Sequence, residues 1–226
     1  APVRGIMRNW WHSPDRVIAL FPEWYAPKRP DWPPQTVVTR FPLYDEADTR
    51  PIDPKLEEFL TAGEPPVLLS PGSANMWAKE FYEAGLAACW QLGRRALCVT
   101  RFPEQVPADV AHFDYVPFSR VFPRCAAIVH HGGIGTCAQG MAAAVPQLLF
   151  PMSHDQPDQA QRLKRLGVAD SLYPKQFKPA AVARKLAALI ESRTVAQACR
   201  DVKAKMSAQM PADQVAALIE IGRAHV

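Results

Sequence analysis

Residues 126–136 read Ala126-Ala-Ile-Val-His-His-Gly-Gly-Ile-Gly-Thr136. The stretch Ala126–His130 is apolar and short, which suits a buried strand better than a helix. Three glycines follow within four positions, Gly132, Gly133 and Gly135. Glycine allows a sharp turn and lets a ligand approach the backbone closely. From there to Ala144 the sequence is alanine-rich and reads as a helix. Strand, glycine turn and helix in that order form the repeating unit of parallel sheets.

The alternation extends both ways. Upstream, Val67–Ser70 is an apolar strand ending in Pro71-Gly72-Ser73. Trp77, Phe81, Ala84, Ala88 and Leu92 then recur at helical spacing. Ala96–Thr100 and Phe113–Val116 read as further strands. Downstream, Gln147–Phe150 is a strand, Asp155–Leu166 a helix ended by Gly167, and Ala169–Tyr173 a last strand. Helical segments near 178–191, 194–208 and 211–223 close the chain. The fold class is therefore α/β, a doubly wound, Rossmann-like parallel sheet. Ligands of such sheets lie beyond the carboxyl ends of the strands. The loops after Ser70, Val116, His130 and Phe150 are the places to expect a site.

The first third differs. Twelve of the 23 prolines precede Val67, interrupted by two β-like runs, Val17–Phe21 and Thr36–Arg40. Residues 1–65 read as a strand-and-linker segment, and 66–226 as the domain proper. Trp10, Trp11, Phe21, Trp24, Tyr25 and Trp32 need a surface to bury against. Left partly exposed, they predict self-association.

Composition excludes several classes. The 226 residues are 48% hydrophobic and 21% charged, an ordinary globular balance. A net charge of +4 is far from the basic stripe of a nucleic-acid binder. Arg162, Lys164 and Arg165 read as a solvated helix face. No apolar run approaches the roughly 18 residues of a membrane span. The five cysteines are odd in number and contain no Cys-x-x-Cys pair, so neither a zinc site nor a disulfide framework is predicted. A reduced, cytoplasmic compartment fits best, with attachment to the inner membrane face left open.

Chemistry concentrates at two turns. At the first, free N–H groups and the helix dipole favour an anion, and His131 and Thr136 add side-chain donors. This describes a phosphate cradle without the Gly-Lys-Ser/Thr of a Walker loop. Adjacent histidines on a strand point to opposite faces, which argues against one metal ion held by His130 and His131. The second turn reads Ser153-His-Asp-Gln-Pro-Asp-Gln159. Asp155 suits a helix N-cap, and equally a carboxylate that with Gln156 accepts and donates to sugar hydroxyls. A dinucleotide reading competes. Gly133-Ile-Gly135-Thr-Cys-Ala138 matches G-x-G-x-x-A, and Asp155 lies 20 residues after Gly135. Against it, the acid should end the next strand, and the fingerprint should open the fold.

Taken together, His130 to Ala160 resembles the donor signature of glycosyltransferase family 1, with its order of glycine turn, Val145-Pro-Gln147 and Asp155-Gln-Pro157. Phe21-Pro-Glu-Trp-Tyr-Ala-Pro27, Pro30-Asp-Trp-Pro33 and Phe59-Leu-Thr-Ala-Gly-Glu-Pro-Pro-Val67 are similar to the bacterial branch that includes rhamnosyl- and sterol glucosyltransferases. The resemblance implies the C-terminal half of a GT-B fold. It implies that His131, Gly132, Gly133, Gly135, Thr136 and Ser73 hold the donor diphosphate, Val116 and Phe118 face the base, and Asp155 and Gln156 bind the sugar. The donor would be a UDP- or dTDP-sugar, the mechanism inverting, and no metal or other cofactor would be needed. One departure is local: Ala144 stands where the family usually has glycine. The larger one is length. On that resemblance, the acceptor-binding domain and its histidine general base are expected to have no counterpart in this sequence, and His12 is not expected to be that base. The resemblance thus predicts a chain that binds donor but transfers no sugar alone. It would need an N-terminal acceptor domain or subunit and a small-molecule or lipid acceptor. A natural, non-catalytic nucleotide-sugar-binding subunit is the alternative.

Overall fold

The computed structural model describes residues 12–72, 78–208 and 210–220. Contacts divide the chain into two compact units, Leu43–Ser207 and a smaller one formed by Ala1–Pro42 with Ala208–Val226. The sequence had suggested a change near residue 65.

The larger unit is a six-stranded parallel sheet. Its strands are β3 (Val67–Ser70), β4 (Ala96–Val99), β5 (His112–Phe113), β6 (Ala127–His130), β7 (Gln147–Leu149) and β8 (Ala169–Ser171), in spatial order β5-β4-β3-β6-β7-β8. Every pairing is parallel; β3 registers Val67 with Ala96 on one side and with Ala127 on the other. Strand order therefore reverses between β3 and β6. A doubly wound sheet opens its ligand crevice at such a reversal.

Side chains alternate along β3. Val67 and Leu69 join one core with Phe81, Tyr82, Val129 and Leu186, while Leu68 joins another with Leu97, Ile128 and Phe122. Burial on both faces explains why β3, β6 and β7 are apolar except at one end residue each, rather than alternating. Helices α2 (Lys79–Gln91) and α6 (Pro179–Glu191) cover the first face, where Phe81 and Phe177 stack with ring centroids 5.2 Å apart. Trp77, expected on α2, lies outside the described residues.

A helix stands where the proline density suggested linker. This helix, α1 (Pro54–Thr61), buries Leu56 and Leu60 in the second core. Asp53 caps it by accepting from the Lys55 N–H at 2.8 Å, and Pro54 occupies the first turn. Proline lacks only an N–H that a helix start leaves unpaired in any case, so it favours this position.

The short helix α3 (Phe118–Val121) precedes β6, and after β6 and β7 come α4 (Ile134–Ala143) and α5 (Gln156–Arg165). Helix α4 ends in a left-handed residue, Ala144, at φ +58°. The Ala144 N–H donates to Met141 O and the Val145 N–H to Gly140 O, both at 3.2 Å. These two bonds make a Schellman ending, which normally takes glycine. The expected difference at Ala144 is thus one of strain and not of shape. Helix α5 ends similarly at Gly167, φ +74°, and α7 (Arg193–Ser207) completes the unit. Among the described residues no helix is long and apolar enough to cross a membrane.

In the smaller unit, β1 (Val17–Ala19) pairs parallel with β2 (Thr36–Val38). Arg16 donates to Leu218 O at 2.7 Å and Arg40 to Met210 O at 3.3 Å, tying in α8 (Ala212–Glu220). The aromatics of this region pack on one another. Tyr25 lies edge-on to Phe41 at 5.0 Å and Phe21 to Trp32 at 6.0 Å, leaving Phe21, Trp24 and Trp32 half-buried and Tyr25 buried. Trp10 and Trp11 lie outside the described residues.

Candidate functional site

A cleft of about 720 Å³ runs along the carboxyl ends of the central strands of the larger unit. That volume lies within the range of small-molecule sites. Following strand order, its wall passes from Tyr115 and Val116 beyond β5, through Gly72 after β3 and His131 after β6, to Met152 and Gln156 beyond β7.

The β6 turn is built from the inside. His130 is fully buried, and its Nδ1 accepts the Gly132 N–H at 3.1 Å. The ring proton therefore sits on Nε2 and is donated to Gln147 Oε1 at 2.9 Å. Gln147 in turn donates from Nε2 to Cys137 O at 3.3 Å. Strand β7, helix α4 and the turn are thus joined through one imidazole. Gly140 makes room for this link, since a Cβ there would meet the Gln147 amide at 2.6–2.8 Å. Burial lowers the His130 imidazole to about 3 and keeps it neutral; His131 adds to the effect and the Gln147 hydrogen bond opposes it. The sequence suggested only that His130 is satisfied locally.

His131 points the other way, into the cleft. Its ring lies between two glycines: a Cβ on Gly72 would approach it to 3.0 Å, and one on Gly133 would reach Nε2 at 2.5 Å. Both positions are closed to any side chain while the ring stays where it is. His131 Nδ1 is buried and has no hydrogen-bond partner among the described residues. Burial lowers this group too, and the charge of Asp155 works against that. Gly132 adopts φ +93°, and Gly133 begins α4 without any side-chain cap. The first-turn N–H groups of α4 thus remain available to an anion. A Cβ on Gly135 would meet nothing within 4 Å, and Thr136 lines the cleft. Ser73 lies outside the described residues. The two histidines do not converge, and among the described residues no three His, Cys, Asp or Glu side chains cluster as metal ligands.

The β7 turn is braced by side chains. Gln156 Oε1 accepts the Met152 N–H at 2.8 Å and the Ser153 N–H at 3.2 Å. Asp155 holds the N-cap position of α5 but makes no capping hydrogen bond; its carboxylate accepts from Gln159 at 3.2 Å. It is exposed and is not one of the side chains lining the cleft, whereas Gln156 is. The dinucleotide reading needs an acid at the end of β7. That strand stops at Leu149, and Asp155 stands beyond an intervening loop.

At the other end, Val116 is buried and Phe118 is half-buried, stacked on Phe122 at 4.3 Å. Tyr44 to Glu46 also line the cleft, a stretch for which the sequence carries no functional signal. Asp45 accepts from the Ser119 N–H at 2.7 Å, the Glu46 N–H donates to the Tyr115 hydroxyl at 2.9 Å, and Gln139 donates to Tyr44 O at 3.3 Å. Only the turn-forming character of Asp45-Glu-Ala-Asp48 could have hinted at it.

This architecture matches the C-terminal half of GT-B glycosyltransferases. The calicheamicin glycosyltransferase CalG4 superposes on 99% of the chain with a TM-score of 0.73 and 20% identity, using 56% of its own length. The spinosyn rhamnosyltransferase SpnG complexed with thymidine diphosphate covers 92% of the chain and 57% of its own, with a TM-score of 0.71 and 17% identity. The family model for erythromycin biosynthesis protein CIII-like, C-terminal domain, matches residues 100–221, and the chain belongs to that family. O-mycaminosyltylonolide 6-deoxyallosyltransferase of Streptomyces fradiae is 40% identical over 167 residues, 72% of this chain and 39% of that protein. Sterol 3-beta-glucosyltransferase UGT80A2 of Arabidopsis thaliana is 34% identical over 155 residues, 66% of this chain and 24% of that protein. The chain thus spans well under half the length of these curated relatives.

Proposed function

We propose that this chain is the donor-binding half of an inverting glycosyltransferase that moves a hexose from a UDP- or dTDP-sugar to an acceptor hydroxyl. The carrying observation is the β6 turn. An uncapped helix start, a glycine backbone and an imidazole held between Gly72 and Gly133 meet at the strand-order reversal. The diphosphate would lie there, against Gly132, Gly133, Gly135, Thr136, His131 and Ser73. The base would lie toward Val116 and Phe118, and the sugar toward Asp155 and Gln156. The relatives named above are glycosyltransferases, and two fold neighbours are described as complexes with thymidine diphosphate, SpnG and VinC. These favour a thymine base over uracil.

In direct displacement the acceptor oxygen attacks the anomeric carbon as the diphosphate leaves. Negative charge then grows on the phosphate oxygens, where preorganised N–H donors are most effective. The first turn of α4 and His131 would meet that charge. The proton of the acceptor must go to a base on the acceptor-binding half, which this chain would need as a partner domain or subunit. Titration calorimetry with dTDP, UDP and NAD tests the reading. Binding of dTDP or UDP with NAD silent supports it; NAD binding alone would replace it with a dehydrogenase.

A further inference from the structure

The β7 turn contains one residue whose backbone is held in an unfavourable state. His154 adopts φ +56°, the left-handed region. For a residue with a Cβ this costs roughly 1–2 kcal/mol, and glycine would avoid it. Such outliers persist where the surroundings over-determine them, and they gather at functional sites. Here the surroundings can be named. The Met152 and Ser153 N–H groups are pinned by Gln156 Oε1, and Ser153 Oγ lies 2.7 Å from His154 Nδ1. The ring is exposed and lines the cleft beside Met152 and Ser153. With Nδ1 engaged, Nε2 is the one ring nitrogen left to a ligand.

We infer that His154 is a sugar-recognition residue, its Nε2 hydrogen-bonding a hydroxyl of the transferred hexose. This rests on the nucleotide-sugar reading of the cleft. Position supports the assignment to the sugar, because His154 follows β7, one strand beyond the anion-binding turn of β6. Charge supports a neutral sugar: the exposed Asp155 carboxylate is adjacent in the chain and would repel an anionic one. Either tautomer serves, since Nε2 donates to a hydroxyl oxygen when Ser153 donates to Nδ1, and accepts from a hydroxyl in the reverse case.

The test separates strain from recognition. His154→Gly removes the ring and relieves the backbone, so its melting temperature should rise. By calorimetry on the 226-residue chain, dTDP-glucose, dTDP-rhamnose and UDP-glucose are each compared with dTDP or UDP. The nucleotide sugar bound best should weaken about tenfold in His154→Gly, the worth of one hydrogen bond. The bare diphosphate should stay within about twofold. His154→Asn, which tolerates the same backbone and restores a polar group, should recover part of the loss. Equal losses for sugar and diphosphate, or unchanged sugar affinity in a stabilised variant, overturn the assignment. If the unmodified chain binds neither dTDP nor UDP, the nucleotide-sugar reading itself fails, and this inference with it.

Discussion

Two neighbouring strands end in turns that lead into helices, and they are built by opposite means. After β6, the chain bends through glycines, and the His131 ring fits into the space left by the absence of Cβ atoms on Gly72 and Gly133. After β7, no glycine is present, and Gln156 and Ser153 hold the loop by hydrogen bonds. The first arrangement bares backbone N–H groups, which suits a diphosphate that presents the same charge whatever sugar it carries. The second displays side chains, which suits a sugar whose hydroxyl pattern varies. On the proposed reading of the cleft, the invariant part of the ligand would face backbone and the variable part side chains.

The largest expected effect concerns how each turn responds to acid. Burial holds His130 at about 3 against an ordinary 6.5, and lowers His131 as well. As pH falls through 6.5 the unfolded chain takes up protons that the folded chain refuses until near 3. Stability is therefore full above 6.5 and declines below it, by up to about 1.4 kcal/mol per pH unit for His130. Urea midpoints at pH 7.5, 6 and 5 should fall in that order, and His130→Gln should flatten the decline. A flat profile in the unmodified chain would mean that His130 is not the hidden brace of the β6 turn.

Next in size is His131→Ala. Loss of a hydrogen bond to a charged ligand should weaken dTDP and the corresponding nucleotide sugar alike by about 1.5–3 kcal/mol. A loss confined to the nucleotide sugar would erase the contrast between the turns. Asp155→Asn should do the reverse, weakening the nucleotide sugar by about 1 kcal/mol and sparing dTDP. If the variant instead loses thermal stability with no change in either affinity, Asp155 serves only the start of α5. The smallest effect belongs to the helix that joins the turns. Ala144→Gly removes a left-handed alanine and should raise stability by about 1 kcal/mol without touching either affinity, read as a higher urea midpoint.

The sheet was legible because its strands are buried on both faces and so appear as mostly apolar runs, polar only at one end: Val67–Ser70, Ala127–His130 and Gln147–Leu149 fall within the runs read from sequence. Helix α1 was not, because Pro51, Pro54, Pro65 and Pro66 crowd a segment of two turns whose only strong signal is Asp53 before Pro54. The β6 turn could be read from its glycines, since each marks a backbone need. The β7 turn could be read only as a set of polar residues. Neither the idle cap of Asp155 nor the left-handed His154 leaves a local mark in the sequence. The wall from Tyr44 to Glu46 depends on bonds to Ser119, Tyr115 and Gln139, all distant in sequence.

The smaller unit is assembled from both ends of the chain, with Arg16 and Arg40 binding carbonyls of Leu218 and Met210. This imposes an order on synthesis at the ribosome. All six strands of the main sheet have emerged once Ser171 is clear, and the larger unit is complete at Ser207. Strands β1 and β2 emerge before that sheet but must wait for α8, made after it, before the flanking Arg16 and Arg40 find those carbonyls. At elongation rates of roughly 5–20 residues per second, that wait lasts on the order of ten seconds to half a minute. A segment made before the main sheet thus matures after it, and its aromatic residues spend that interval within reach of chaperones.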